Sequence, residues 1–496
     1  MRHALTQHRS QLATIATWAM FSRGLEPEFP KAVTQQLARL KGPAHESGDS
    51  IRDLRALCWC SIDNDDSRDL DQLTVSQPLA KGSVRVLVAV ADVDALVKKG
   101  SPVDAHARHN TTSVYTSARV FPMLPERLCT DLTSLNTDED RLAIVCEMDF
   151  SEDGLLVGSV IYRALVRNKA QLAYDAISAW IEGQGPLPEP AARIDGLQVQ
   201  LRTQDALAQK LRVLRRAEGS LELETFQPKA SFDGERITDI RQQVQNRARQ
   251  LIEELMIATN GCTARFLARH GGGSLRRVVR SPERWLRIVE VAASHGCTLP
   301  AQPDGKALEA FLAQQHRDDP LHFPDLSLVI VKLMGRGEYV VERARDSPVG
   351  HFGLAVRDYT HSTAPNRRFP DLITLRLLKA ALTRSAPPYS SDELEELAAH
   401  CTRQEDAAQK VERQMRKSEA ALLLHSRIGE HFDGVVTGVT DQGVWVRIFE
   451  PPAEGRLTGG LPALKVGRPV RVRLTSTSVE RGFIDFSLER FNRDAG

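Results

Sequence analysis

Apolar and polar positions are spaced differently in three parts of the chain, and each part predicts a different kind of structure. Residues 1–50 carry two short helical patterns. Residues 51–425 mix strand and helix patterns, which is typical of an α/β or α+β domain. Residues 428–496 alternate as strands do, with turn residues between them, which predicts an all-β barrel of roughly five strands. The chain is therefore expected to be multidomain.

The two N-terminal helical patterns cover residues 5–21 and 30–40. Pro30 suits the first turn of the second helix, because proline lacks the N–H that a first turn leaves unpaired. Two helices joined by a short turn fit a helix-turn-helix nucleic-acid module, and they also fit a plain helical cap. The pattern leaves both interpretations open.

Four further segments give strong local predictions. Residues 85–93 (RVLVAVADV) form a continuous apolar run, which predicts a buried strand. Residues 247–273 predict a long helix that is closed by glycines. Residues 370–382 and 391–425 predict two more helices.

Composition excludes little about function. The 65 Lys and Arg residues nearly balance the 64 Asp and Glu residues, so any surface that binds a polyanion must come from local clustering of basic residues. Of seven cysteines, only Cys58 and Cys60 are close, in a spacing that matches no zinc or redox motif, and free thiols in a reducing cytosol are predicted.

No apolar stretch reaches the roughly 20 residues that span a bilayer, and the N-terminus does not fit a secretory signal. We expect a cytoplasmic protein without membrane contact.

The segment 61–73 (SIDNDDSRDLDQL) places five aspartates within nine residues. Like charges about 4 Å apart repel by roughly 4 kcal/mol at an effective dielectric constant near 20, so the cluster needs full solvation or a cation. A calcium loop does not fit, because Arg68 stands where glycine is required and Thr74 where glutamate is required. A solvated acidic loop and a magnesium site remain.

The alternation of Asp69, Leu70 and Asp71 favours the metal site. In an extended segment the two carboxylates share one face while Leu70 points into the core.

A basic motif lies at residues 351–378, where Arg367 and Arg368 precede a predicted helix with Pro370 and Asp371 in its first turn. Free N–H groups and the helix dipole favour anions at such a position, and arginine offers bidentate donors to phosphate. The alternative is a pair of surface arginines, at least one of them bound to the acidic cluster.

Together the two motifs resemble the aspartate and arginine motifs of the ribonuclease II and ribonuclease R family, the RNB exoribonucleases. Residues 88–128, with SVY and PMLP, resemble the stretch that follows the aspartates, and residues 248–260 resemble the family's central helix. The order and spacing match over residues 53–382, and the C-terminal barrel is similar to the family's S1-type RNA-binding domain.

The resemblance implies a 3′-to-5′ exoribonuclease that hydrolyses single-stranded RNA to nucleoside 5′-monophosphates with Mg²⁺, or with Mn²⁺ in its place. It implies an α/β (α+β) RNB catalytic domain at 51–425, which a small helical domain at 1–50 precedes. An all-β S1-type OB fold at 428–496 follows.

The resemblance also implies residue roles. Asp63, Asp69 and Asp71 match three of the family's four site aspartates, which hold magnesium and orient the attacking water, with Asp71 the least dispensable. Arg367 matches the arginine that contacts the scissile phosphate. The RNA-binding residues implied are Tyr115, Glu254, Arg368, Phe432 and Trp445. Of these, Tyr115 stacks on a base near the 3′ end and Glu254 lies near the RNA, although the sequence does not decide between Glu253 and Glu254.

The chain departs from the family pattern at the fourth aspartate, within the arginine motif and before Asp63. In the arginine motif, Ser362, Ala364, Asn366 and Phe369 replace the more usual Phe, Ser, Ile and Tyr, whereas both arginines and Pro365 remain. Gln72 replaces the fourth aspartate; its amide oxygen still ligates a metal but carries no charge, so a second ion should bind more weakly. This motivates the alternative of a catalytically impaired RNB-family RNA-binding protein. No room for two cold-shock barrels precedes Asp63, and we expect duplex RNA with a 3′ overhang to be accepted.

Overall fold

The computed structural model describes most of the 496-residue chain. The described residues are 7–46, 48, 50–224, 228–242, 245–270, 273–320, 322–343, 346–440, 443–459 and 464–489. Parts of three predictions lie outside these residues: the helix start at Leu5, the glycines Gly271 and Gly272, and residues 490–496 at the end of the predicted barrel.

A mixed β-sheet forms the centre of the molecule. The first nine strands of the described residues are β1 (Ile51–Asp53), β2 (Cys60–Asp63), β3 (Gln72–Pro78), β4 (Val84–Ala91), β5 (Val114–Tyr115), β6 (Val120–Phe121), β7 (Asp140–Phe150), β8 (Leu156–Arg167) and β9 (Ala170–Ala173). Seven of these described strands form one sheet in the order β1-β8-β7-β4-β3-β2-β9, and β5 and β6 form a separate hairpin. The pairs β1–β8 and β2–β9 are parallel, whereas the other neighbours are antiparallel.

The predicted buried strand is confirmed as β4, which lies between β3 and β7. Consecutive side chains from Val86 to Ala91 are buried. Because neighbouring side chains of a strand point to opposite faces, both faces of the sheet are covered here, which explains the continuous apolar run.

Helices surround this sheet. The described helices are α1 (His8–Phe21), α2 (Lys31–Arg39), α3 (Pro102–Asn110), α4 (Tyr174–Ile181), α5 (Glu189–Ala192), α6 (Leu197–Ala217), α7 (Arg247–His270), α8 (Trp285–Ser294), α9 (Gly305–Asp318), α10 (Phe323–Met334), α11 (Phe369–Thr383) and α12 (Ser391–Leu424). The three long helices predicted from periodicity are confirmed as α7, α11 and α12. Among the described helices, none combines the length and the apolar character that a bilayer crossing requires.

The two N-terminal helices pack against different elements. A hairpin of β10 (Pro228–Asp233) and β11 (Arg236–Gln242) contacts α1, which also packs on α12, whereas α2 packs on α3. Each helix therefore covers a different part of the larger domain, and the helix-turn-helix and helical-cap interpretations both stay predictions. Pro30 caps α2 and does not lie in its first turn.

A helical segment is inserted between two paired strands, β12 (Gly273–Val278) and β13 (Glu338–Arg343). It comprises α8, α9 and α10 and has an apolar core of its own, which includes Trp285, Phe311 and Ile330. This segment stands beside the C-terminal barrel, because Arg447 of the barrel forms an ion pair with Asp325 of α10 at 2.8 Å.

The predicted C-terminal barrel is confirmed. Its strands are β14 (His431–Thr440), β15 (Gly443–Ile448), β16 (Ala453–Thr458), β17 (Pro469–Ser478) and β18 (Phe483–Leu488). Within the described residues these strands close in the order β14-β15-β16-β18-β17. Apolar residues of α1 and of the C-terminal half of α12 belong to the same core cluster as the barrel interior.

One aromatic residue of the barrel contradicts its prediction. Phe432 is one of the RNA-binding residues that the resemblance implies, but its side chain is buried and packs edge-on against Phe486 in the barrel core. The alternation of β14 turns His431 and Asp433 outward and Phe432 inward, which explains the error.

Candidate active site

The acidic segment connects two neighbouring strands of the sheet. β2 ends at Asp63 and β3 begins at Gln72, and the antiparallel pairing of Cys60 with Thr74 brings these two ends to the same edge of the sheet. Leu70 points into the core, as predicted. The carboxylate of the next residue, Asp71, is also completely buried.

Protein donors orient the three aspartates that the sequence singled out. One oxygen of each carboxylate accepts a hydrogen bond within the protein. The bonds run from Ser67 Oγ to Asp63 Oδ1 at 2.9 Å, from Tyr115 Oη to Asp69 Oδ2 at 3.2 Å, and from the backbone N–H of Asn366 to Asp71 Oδ1 at 2.9 Å. The carboxylates are therefore held in fixed orientations before any ligand binds.

Arg367 faces the buried carboxylate of Asp71. Its Nε lies 3.0 Å from Asp71 Oδ2, an ion pair without hydrogen-bond alignment, and no other described group donates to that oxygen. Burial raises the pKa of Asp71 to about 7, against the opposing effect of Arg367. Burial likewise raises the pKa of Asp69. For Arg367, burial opposes the charged form, but nearby acidic groups led by Asp71 raise its pKa above the ordinary value.

Arg368 is already paired within the protein. It is the N-cap of α11, and its Nε and Nη2 donate to the two carboxylate oxygens of Asp371 at 2.8 and 2.7 Å. Asp371 is completely buried in the first turn of the helix. The predicted anion site at this helix start therefore holds a carboxylate of the protein itself, which leaves Arg367 as the arginine available to a phosphate.

Three cavities in the described part of the chain border Arg367. The largest, which we call the cleft, has a volume of about 870 Å³ and is lined by Asp69, Tyr115 and residues of α12. A second, of about 300 Å³, lies between Tyr115 and the middle of α12. The third, of about 250 Å³, is lined by Gln72 and by residues of α7. Arg367 thus stands at the junction of these three cavities, with Asp71 buried beside it.

Tyr115 stands at this junction on the β5–β6 hairpin. Its side chain is 44% exposed and borders both the cleft and the second cavity. Its backbone N–H donates to Glu412 of α12 at 3.1 Å. Tyr115 is therefore held at its backbone by Glu412 and at its hydroxyl by Asp69, which suits a ring on which a base stacks.

The two neighbouring glutamates of α7 have different surroundings. Glu254 is buried and forms an ion pair with Arg215, whose Nε donates to it at 2.8 Å. Glu253 lines the third cavity together with Gln72 and Arg367. Of the two, Glu253 is therefore the glutamate that borders a cavity beside Arg367, and the position of Glu254 near the RNA stays a prediction.

Sequence reasoning missed Tyr174 and Asn366. Tyr174 lines the third cavity beside Gln72 and Arg367, and its ring packs against the guanidinium of Arg249. Asn366 acts through its backbone N–H, which gives no signal in the side-chain pattern. A single tyrosine at the start of a short helix is equally uninformative.

The oxygen-rich donor set at the acidic segment suits a hard divalent cation in its chemistry. Asp71 Oδ2 is a buried anionic oxygen without a hydrogen-bond donor, which is an environment that a cation would satisfy. In the positions seen here, no three acidic, histidine or cysteine side chains of the described residues converge closely enough to enclose an ion.

Two arginines of the barrel are paired with acidic side chains. Arg447 is paired with Asp325, and Arg471 with Asp433 at 3.1 Å. Trp445 is half-buried on β15. The exposed aromatic side chains of the barrel are Phe449 and Phe483, within the described residues.

A mixed sheet with an acid–arginine pair at a junction of cavities, followed by a closed five-stranded barrel, is the architecture expected of an RNB protein with an S1 domain. Comparison with family models agrees: the RNB domain matches residues 51–384, and the RNase II-type exonuclease C-terminal S1 domain matches residues 430–489. The chain belongs to the RNB family.

Similar proteins carry ribonuclease R names. Ribonuclease R of Escherichia coli (strain K12) is 32% identical over 94% of this chain and 61% of its own length. Ribonuclease R 1 of Lactococcus lactis is 28% identical over 94% of this chain and 60% of its own length. The chain thus spans about three fifths of the length of these curated relatives.

Solved structures share the fold. RNase R of Mycoplasma genitalium, in complex with ribose methylated single-stranded RNA, superposes with a TM-score of 0.87 at 22% identity, over 96% of this chain and 78% of that one. Yeast Ssd1, described as a pseudonuclease, gives a TM-score of 0.71 at 16% identity over 90% of this chain and 55% of its own.

Proposed function

We propose that this protein is a 3′-to-5′ exoribonuclease that hydrolyses single-stranded RNA to nucleoside 5′-monophosphates. The observation that carries the proposal is the position of Arg367 against the buried carboxylate of Asp71, where three cavities meet. A guanidinium beside oriented carboxylates suits phosphodiester hydrolysis, since the arginine binds phosphate oxygens and offsets the charge that develops on them. Family membership and the ribonuclease R names of the relatives support the same activity.

Ribonucleases of this family depend on divalent metal ions in general. Mg²⁺ is the ion proposed here, with Mn²⁺ as a substitute, and the residues that would hold it are Asp63, Asp69, Asp71 and Gln72. A bound divalent ion supplies charge neutralisation and a water of lowered pKa. Because the side chain of Gln72 carries no charge, a second metal ion is expected to bind more weakly than it would to an aspartate at this position.

The side chains of the chain itself position the substrate. Nε is the atom of Arg367 nearest to Asp71, so the two terminal Nη groups are available to bind the scissile phosphate. The Tyr115 ring stacks on a base near the 3′ end, and its hydroxyl keeps Asp69 in orientation. Trp445, which is half-buried, and the exposed Phe449 are the remaining candidates for base contacts on the barrel.

The proposed substrates include duplex RNA with a single-stranded 3′ overhang. A duplex is wider than a single strand, so the cavities at Arg367 would receive the overhang first. The cytoplasm is the proposed compartment, because all seven cysteines lie in the described residues as free thiols, which is usual in a reducing environment.

A second candidate is an RNB-family protein that binds RNA without turnover. Gln72 in the place of an aspartate favours it, and the fold alone does not decide, since Ssd1 has the same fold and is described as a pseudonuclease. Three aspartates and Arg367 are retained, which favours the enzyme.

One experiment separates the two candidates. A homopolymer RNA, labelled at its 5′ end in one sample and uniformly in another, is incubated with the protein and Mg²⁺, and the products are separated by chromatography. The enzyme is expected to release labelled mononucleotides from the uniform label while the 5′-labelled RNA shortens gradually. Tight binding without any nucleoside monophosphate, with Mg²⁺ or Mn²⁺, would establish the binding protein instead.

A further inference from the structure

Two large aromatic side chains are exposed on α1. Trp18 is 63% exposed and Phe21 is 60% exposed. Leaving such rings in water forgoes the favourable free energy that their burial would provide. Their exposure therefore contributes nothing to the packing of this helix, and a binding role would account for it.

The helix that carries these rings is firmly held. Leu12, Ala16 and Met20 on its opposite side are buried in the core that α1 shares with α12 and the barrel. At its N-terminus, the carboxylate of Glu235 accepts hydrogen bonds from the backbone N–H and the hydroxyl of Ser10. The two rings are thus presented by a rigid element and not by a loose end.

The rings lie next to the rim of the cleft. The guanidinium of Arg119, which lines the cleft, donates to the Thr17 hydroxyl at 3.4 Å. Phe21 follows Thr17 by one helical turn on the same side, and Trp18 is the adjacent exposed position. Arg9, at the start of the same helix, also lines the cleft. A strand that leaves the cleft along Arg119 would meet both rings.

The charge of this part of the chain suits a polyanion. No aspartate or glutamate occurs in the sequence before Glu26, whereas arginine occurs at Arg2, Arg9 and Arg23. The lining of the cleft includes basic residues from other elements, among them Lys229 and Arg416, interspersed with acidic residues such as Asp66 and Glu412. Aromatic rings combined with basic groups are the usual means of binding single-stranded nucleic acid without regard to sequence.

We infer that Trp18 and Phe21 form a stacking platform for the bases of an RNA strand upstream of the 3′ segment in the cleft. This inference rests on the proposed function for the identity of the ligand. It assigns α1 the task of holding the strand between the cleft and the solvent, so the platform contributes only to RNA that is long enough to reach it.

The test compares RNA lengths by fluorescence anisotropy in EDTA, which keeps the RNA intact. The probes are fluorescein-labelled oligo(A) of about 4 and about 24 nucleotides. For the double variant Trp18→Ala/Phe21→Ala, the affinity for the longer RNA is expected to fall at least about tenfold, and that for the shorter RNA to stay unchanged. Trp18→Phe/Phe21→Tyr should restore the affinity.

Matched controls come from another helix. Val199 and Val213 of α6 are 69% and 67% exposed, and Val199→Ala/Val213→Ala should bind both probes as the wild type does. Unchanged affinity of the double variant for the longer RNA would overturn the inference, and so would an equal loss for both lengths. Lost binding to phosphatidylglycerol vesicles with full RNA affinity would make α1 a membrane-contacting helix instead.

Failure of the inference is distinguishable from failure of the proposed function. If the wild type releases no mononucleotides but the double variant still loses affinity for the longer RNA, the platform stands and the nuclease activity does not. If the wild type degrades RNA and the double variant binds the longer RNA as tightly as the wild type does, the nuclease activity stands and the platform does not.

Discussion

The Nε atom of Arg367 lies 3.0 Å from Oδ2 of Asp71. The aspartate belongs to the acidic segment before β3, and the arginine directly precedes Arg368, the N-cap of α11. The backbone N–H of Asn366 donates to the other oxygen of the same carboxylate, so the two segments are joined twice. Any chemistry at Asp71 therefore takes place beside a fixed guanidinium.

Arg367→Ala is expected to reduce turnover of RNA by about 100- to 1000-fold, because one charged donor to the scissile phosphate is lost. Arg367→Lys keeps the charge but not the planar fork, and should fall between the wild type and the alanine variant. Single-turnover release of mononucleotides measures the effect. Arg287→Ala, at an exposed arginine of α8, is the control and should leave the rate unchanged. A rate for Arg367→Ala equal to that of the wild type would contradict the assigned role.

Tyr115 offers a test that separates its ring from its hydroxyl. Tyr115→Phe removes only the hydrogen bond to Asp69 and should weaken RNA binding by less than about tenfold. Tyr115→Ala also removes the ring and should weaken it by about 5- to 150-fold, the usual range for one stacked base. Anisotropy in EDTA with a short 3′-terminal RNA gives both values. If the two variants bind equally, stacking on Tyr115 is not part of the site.

The two adjacent glutamates of α7 should behave differently. Glu254→Ala leaves the partly buried Arg215 without its partner and is expected to lower the free energy of unfolding by about 3 kcal/mol. Glu253→Ala should change stability by less than about 1 kcal/mol but alter RNA affinity, because Glu253 lines the third cavity. Urea unfolding and anisotropy on the same samples provide the comparison. A reversed pattern would identify Glu254 as the residue near the RNA.

Glu419 of α12 predicts a pH dependence of stability. Its side chain is 2% exposed; Oε2 accepts a hydrogen bond from Ser117, and no described group donates to Oε1. Burial raises the pKa of Glu419 to about 7 from its ordinary 4.5. The folded state thus holds this proton more tightly than the unfolded state, so stability present at low pH is lost as the pH rises towards 7.

Glu419→Gln removes this penalty. The variant is expected to be more stable than the wild type by about 2 kcal/mol near pH 8, and the gain should shrink as the pH falls to about 4.5. Urea unfolding over this pH range is the measurement. Glu396→Gln, at an exposed glutamate of the same helix, should show the pH dependence of the wild type. Parallel curves for Glu419→Gln and the wild type would refute the prediction.

Much of the fold follows from local patterns. The run of apolar residues in β4 predicted a strand with both faces covered, and helical periodicity predicted α7, α11 and α12, because burial imposes these spacings directly. The alternation of exposed and buried positions along β14 also indicates that Phe432 is buried. The prediction for Phe432 followed the family resemblance instead of this alternation. Trp445, flanked by the inward Val444 and Val446, is on the outward side of β15.

Other features could not be read from the sequence. Residues on all sides of α7 are buried, so helical periodicity did not distinguish Glu253 from Glu254. Their roles depend on Arg215 of α6, a partner that only the tertiary structure identifies. The pairing of Arg368 with Asp371 could not be predicted either. The start of a helix favours a carboxylate as much as a phosphate, so the sequence did not show which of the two Arg368 would bind.

The most direct test of the account uses Asp71→Asn, assayed on an RNA with a single-stranded 3′ tail in the presence of Mg²⁺. The control is Asp65→Asn, at an exposed aspartate of the same acidic segment. We expect Asp71→Asn to bind the RNA while releasing mononucleotides at least about 1000-fold more slowly than the wild type, and the control to retain full activity. Undiminished release of mononucleotides by Asp71→Asn would contradict the placement of the active site at Asp71 and Arg367.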